Sequence, residues 1–184
     1  RISGEGDLNL DIDPNGRMNL AGRYEVQSGH FEKNLYNLVR RRFEIAQGSS
    51  VIWAGDPMDA NFDIRAIYRV ETSATSLMAA QTSGMDTSEA GKFRQRLPFL
   101  VYLNVGGEMT QPELSFNIDM PEEERGAIGG QVYSRLQQID NQEDERNRQV
   151  FSLLVLNRFF PDSGSDGSGG GAMALARNNL NQAL

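Results

Sequence analysis

Apolar and polar residues alternate with period two through most of the first two-thirds of the chain. Leu8, Leu10 and Ile12 form one run, and Met18, Leu20, Tyr24 and Val26 the next, with Gly22 taking one inward place. Strict alternation marks a strand buried on one face and wet on the other. The pattern returns at Phe43 and Ile45, at Val51 and Trp53, and at Phe62, Ile64, Ala66, Tyr68 and Val70. It returns again at Phe99, Val101, Leu103 and Val105, and at Leu114, Phe116 and Ile118. Turn chemistry separates these runs: Asp13-Pro14-Asn15-Gly16, Gly48-Ser49-Ser50, Gly55-Asp56-Pro57 and Gly106-Gly107. The spacing predicts about seven strands joined as antiparallel neighbours, a meander without crossovers. Residues 72–97 carry no sustained period and read as a long mobile connection with one short helix near Ser76 to Gln81.

At Pro121 the grammar changes. Proline followed by Glu122, Glu123 and Glu124 predicts a helix start, with carboxylates at the positive end of the dipole. A second helix is expected from about Asn141 to Phe160; its apolar stretch, QVFSLLVLNRFF, falls short of the roughly 20 residues a membrane span needs. Residues 161–171 are a Gly/Ser linker by composition, and 172–184 read as a weakly amphipathic helix cut off at the chain end. The organisation expected is a β-domain over 1–120, a helical segment over 121–160 that packs on it or caps it, then linker and terminal helix.

Composition narrows the function classes. The net charge of -7 disfavours nucleic acid, whose partners show a basic patch. The absence of cysteine excludes a disulfide framework, a thiolate metal site and a cysteine nucleophile. Starting at Arg1, the chain reads as a piece of something longer, with any signal or anchor upstream.

Candidate chemistry is sparse. Asp11, Asp13, Asn15 and Gly16 copy the opening of a calcium loop, but its twelfth position is Gly22 rather than glutamate and strands flank it, so a hairpin turn is expected and no metal. His30 is the sole histidine, and no G-x-S-x-G elbow presents a serine. GSGGGA at 167–172 follows a helix and linker rather than a strand, which removes the dinucleotide reading. The glutamates at 122–124 and in 143–145 sit at helix starts, and nothing singles out a glycosidase pair. Arg40, Arg41 and Arg42 form one basic cluster, a solvated edge or an anion or lipid-headgroup contact. Trp53 with Phe43, Phe62 and Tyr68 reads as buried lining; a glycan platform would need Trp53 on the outer face. No cofactor and no enzymatic activity are expected.

Three blocks carry a family resemblance. FEIAQGSSVIWAGDPMDANFDIRAIYRV at 43–70 is similar to the C-terminal domain of the TamB family, large AsmA-like proteins of the diderm periplasm. PFLVYLNVGGEMTQPELSFNIDMP at 98–121 resembles the family's following hairpin, with its Gly-x-x-x-x-Pro corner, and RQVFSLLVLNRFFP at 148–161 resembles the helix after the last strand in the Bacteroidetes branch. The resemblance covers about residues 4–161, and the segment from Thr72 to Arg96 is longer and more polar than the family pattern.

That resemblance implies a curled antiparallel β-sheet, a β-taco or U-shaped groove with an apolar concave face, followed by C-terminal helices. It implies lipid-groove lining by the inward set named above, from Leu8 to Ile118, in contact with phospholipid acyl chains. It also implies an Omp85-type barrel partner such as TamA, and a periplasmic module of a protein anchored in the inner membrane. A rival from another class is an outer-membrane-protein assembly factor that templates barrel strands by β-augmentation.

Overall fold

The computed structural model describes residues 1–35 and 37–161. Among the described residues there are seven strands, Ile2–Ile12 (β1), Met18–Leu35 (β2), Val39–Ile45 (β3), Ser50–Gly55 (β4), Ala60–Ser73 (β5), Arg96–Glu108 (β6) and Gln111–Asp119 (β7), joined by short connections except between β5 and β6. They form one sheet in the order β1-β2-β3-β5-β6-β7, with β4 paired to β2 and β5. Every pair whose register is described is antiparallel. The fold is therefore mainly antiparallel β followed by C-terminal helices.

The first turn is built by Asp13. Its Oδ1 accepts the Asn15 N–H at 2.8 Å and the Arg17 N–H at 2.9 Å, while Gly16 takes φ 81°. The resemblance to a calcium loop is thus an Asx turn closing a hairpin.

Two irregularities shape the sheet. The first replaces an expected turn: β3 and β4 do not pair with each other, and both lie between β2 and β5, so residues 39–55 run as one line broken at Ala46–Ser49. At the break Val26 N–H donates to Ser49 O (2.7 Å), Gly48 N–H to Val26 O (3.1 Å) and Ala46 N–H to Arg65 O (2.8 Å). The buried Ser49 hydroxyl accepts from Arg65 N–H at 3.0 Å and lies 3.4 Å from Arg65 O, filling the gap in the ladder. The second is a bulge in β2. Gly4 faces Val26 but Ser3 faces Ser28, which leaves Gln27 unpaired and shifts the inward positions of β2 from even to odd numbers.

The chain divides into two compact units. The first comprises Arg1–Lys33, Arg42–Ile67 and Tyr102–Ser115; the second comprises Asn34–Arg41, Tyr68–Val101 and the residues from Phe116 onward.

In the second unit, the segment expected to be a long mobile connection folds into Ala79–Thr82 (α1), Thr87–Gly91 (α2) and a 3-10 turn, Lys92–Arg94. Leu77, Met78 and Phe93 bury it. α1 overlaps the short helix expected near Ser76 to Gln81, whereas the five residues of α2 are too few to show a period, which is why the sequence reads as loop there. After Pro121 only 3-10 turns form, at Glu122–Glu124 and Ala127–Gly130, before Gln131–Asp140 (α3). The long helix expected over 141–160 is Glu143–Leu156 (α4). It stops because Asn157 enters the left-handed region at φ 55°. The chain then doubles back: the fully buried Gln149 side chain accepts the Phe160 N–H at 2.9 Å and donates to Phe160 O at 3.2 Å. That return packs Phe159 edge-on against Phe99, with ring centroids 4.8 Å apart. Val132, Leu136 and Ile139 form the buried stripe of α3 at helical spacing. Past Pro161, the expected linker and the helix at 172–184 lie outside the described residues.

Candidate functional site

Register places the inward set of β1 to β5 in the first unit on one face. Opposite residues of an antiparallel pair point the same way. Leu10 faces Leu20 and Ile12 faces Met18 across β1 and β2. Leu8 faces Gly22, which faces Trp53, which faces Ala60; Tyr24 faces Val51, which faces Phe62. Ile45 faces Ala66. The opposite face of β1 and β2 carries Asp7, Asn9, Asp11, Asn19, Arg23 and Glu25, so these two strands are polar on one side and apolar on the other.

Cover on the apolar face is uneven. Near the β1–β2 turn, Leu8, Leu10, Ile12 and Met18 are 44%, 56%, 58% and 57% exposed. Leu20, Tyr24, Val51, Trp53, Phe62 and Ile64 are half-buried. Farther along the strands Val26, Phe43, Ile45 and Ala66 are buried. Within the first unit, Leu114 is exposed, Val105 half-buried and Leu103 buried. In the second unit Val70, Phe99, Val101, Phe116 and Ile118 are core residues. Tyr68 is half-buried, with its hydroxyl 2.6 Å from Asn157 Oδ1 and its ionisation pushed up by burial.

Glycines set the relief. A Cβ on Gly4 would stand 2.8 Å from the Tyr24 ring, and one on Gly6 3.0 Å from it, so the Tyr24 side chain lies across two glycines of β1. Trp53 shares the apolar face with Gly22 and Ala60, and its indole N–H donates to Pro57 O at 3.2 Å. The outer-face position that a glycan platform needs is held by Ile52 instead.

The three arginines part company. Arg41 Nε donates to Leu154 O at 2.6 Å and Nη2 to Val155 O at 3.2 Å, with the guanidinium 5.7 Å from the Tyr68 ring. It caps the C-terminus of α4, where carbonyls lack intrahelical donors and the dipole favours a cation. Arg40 Nε lies 3.4 Å from Asn34 Oδ1, and Arg42 is exposed. Beside Arg42, His30 is held below its ordinary pKa, by desolvation first and then by the Arg42 charge.

Alternation missed Phe31. It stacks on Phe43 at 5.1 Å between centroids, and it lies on the odd-numbered side that becomes inward after the Gln27 bulge. Its signal was available: an aromatic whose parity contradicts Val26 marks a bulge between them. A cavity of about 310 Å³ in the second unit, lined by Met85, Glu89, Lys92, Phe93, Ile128, Gly129 and Gln131, holds none of the residues singled out from the sequence. Among the described residues no helix is long and apolar enough to cross a membrane.

Comparison with curated proteins and with solved structures finds no significant match. A family model does match: the one described as TamB C-terminal domain aligns with residues 1–184. The chain belongs to the TamB C-terminal domain family, whose members act in the translocation and assembly module of the cell envelope with an Omp85-type partner.

Proposed function

We propose that this domain is a non-enzymatic periplasmic module that shelters phospholipid acyl chains on its apolar sheet face, carries them toward the outer membrane and docks an Omp85-type barrel, within a protein anchored in the inner membrane. The supporting observation is the row of large aliphatic residues, Leu8, Leu10, Ile12 and Met18, that share one face and stay about half exposed. Fully burying such a side chain is worth about 1.5–3 kcal/mol, so completing the burial of four half-exposed ones is worth about 4 kcal/mol to a ligand that covers them. On β1, β4 and β5 of the first unit, and on β2 as far as Val26, that face offers aliphatic, aromatic and small residues without a charged anchor, which suits a chain that slides rather than locks.

The test is native mass spectrometry of the purified chain followed by lipid extraction. Leu10→Asp should lose the lipid. Leu10 is more than half exposed, so the variant should keep its fold. A folded Leu10→Asp protein that still carries phospholipid removes the reading.

A second reading, assembly of barrel strands by β-augmentation, is favoured by β1 itself. Its eleven residues end the strand order, leaving one side without a partner strand among the described residues. Prolines along β1 should then abolish barrel assembly in folded variants while lipid loading persists; the conduit reading expects the two to fail together.

A further inference from the structure

The open part of the apolar face has a length, and that length has a floor. Along β2 the inward side chains pass from exposed Met18 through half-buried Leu20 and Tyr24 to buried Val26. On the facing lines, half-buried Val51, Trp53, Phe62 and Ile64 give way to buried Phe43, Ile45 and Ala66. Below Tyr24 the face of β2 to β5 is filled by the first unit's own side chains, including the Phe31–Phe43 stack, and on β1 Ile2, 53% exposed, stands beyond the ring. Above it no side chain among the described residues completes the burial of Leu8, Leu10, Ile12 and Met18.

Tyr24 stands at the change. Its ring crosses Gly4 and Gly6, the two positions of β1 where a side chain would otherwise rise from the sheet. The phenol therefore interrupts the open stretch across two strands at once, between Leu8 and Ile2 on β1 and between Leu20 and Val26 on β2. From Met18 to Tyr24 is six residues, which at about 3.3 Å per residue is about 20 Å. One leaflet's worth of acyl chain is about 15 Å, half of a hydrocarbon core about 30 Å thick. At the other end the hairpin turns expose Arg17 and Asp56, polar groups suited to water and a lipid's glycerol end rather than its tails.

We infer that the face between the β1–β2 turn and Tyr24 takes a lipid with its acyl chains laid along the strands, glycerol end at the turns, and that Tyr24 is the floor that sets which chain lengths fit. The inference rests on the lipid-shelter reading and goes beyond it by giving the site a direction and a selectivity. Removing the phenol opens the next inward step, about 7 Å along the strand. A bulkier side chain at Leu20, two positions above, shortens the stretch.

The experiment incubates the 184-residue chain with phosphatidylcholine vesicles carrying a ladder of saturated acyl lengths, re-isolates the protein and reads the bound lipids by mass spectrometry. Tyr24→Ala should shift the bound distribution toward longer chains and Leu20→Trp toward shorter ones, each against the wild-type chain. Circular dichroism checks the fold, and where Tyr24→Ala fails to fold, Leu20→Trp decides. Wild-type protein that takes up no lipid overturns the shelter reading and this inference together. Lipid-loaded, folded variants with the wild-type length distribution overturn the floor alone.

Discussion

Replacing Arg41 with methionine separates a headgroup contact from a helix cap. The guanidinium makes two hydrogen bonds to the last carbonyls of α4, at 2.6 Å and 3.2 Å, and lies 5.7 Å from the Tyr68 ring. Hydrogen bonds from a charged donor contribute about 1.5–3 kcal/mol each, and a cation at a helix C-terminus about 0.3–1 kcal/mol. Arg41 is half-buried, so the low end applies and the set is worth about 3 kcal/mol. Methionine keeps most of the aliphatic stem and removes the fork. The expected result is a lower urea midpoint at unchanged m, and a melting temperature about 6–12 °C lower at about 2–4 °C per kcal/mol for a chain of this size. Arg41→Lys keeps the charge without the planar fork and should recover about 1 kcal/mol. Hydrogen exchange localises the effect, because amides at the end of α4 and at Asn157 should lose protection first. An unchanged midpoint together with lost binding to anionic vesicles would refute the cap and return Arg41 to the headgroup role.

Two further substitutions test the second unit. Gln149→Leu leaves the Phe160 N–H and C=O without their side-chain partner, and should cost about 2–3 kcal/mol in urea unfolding and release Phe159 from Phe99; an unchanged midpoint would mean that water replaces the amide. Asp140 is held above the ordinary carboxylate value, chiefly by burial, against the opposing Ile118 N–H bond and the Arg146 charge. A raised folded-state value means that its contribution is fully present in acid and is lost as pH rises through that value. Asp140→Asn keeps an acceptor for Ile118 and abolishes the term, so its stability relative to wild type should climb from acid to neutral pH. A flat difference curve would contradict the sign.

Strand positions were legible because burial on one face writes period two directly into the residues, and each expected run lies inside a strand. Gly48-Ser49-Ser50 misled because a glycine at positive φ serves a bulge as well as a reversal; what distinguishes them is whether Ser49 can patch the ladder at Arg65, a contact sixteen residues away. Residues 74–95 were legible only at the short helix near Ser76 to Gln81, which α1 overlaps; Leu77, Met78 and Phe93 are placed by tertiary burial in and beside elements shorter than two helical turns. Arg41 was legible as a charge and not as a cap, since its acceptors lie 113 and 114 residues on.

Alternation reports which way a side chain points and says nothing of what covers it. Leu8-x-Leu10-x-Ile12 and Phe99-x-Val101-x-Leu103 are the same pattern, yet the first is half exposed and the second buried. Phe99 and Val101 lie in the unit holding α3 and α4, whose stripe of Val132, Leu136 and Ile139 belongs to a core. The first lies on an edge strand, where exposed aliphatics invite pairing with another chain. On the opposite face of that strand Glu5, Asp7 and Asp11 stand at alternate positions, and like charges brought together oppose association of two such edges. An edge that keeps its apolar face open while its polar face discourages self-pairing suits an occupant that is apolar and uncharged along its length, as an acyl chain is.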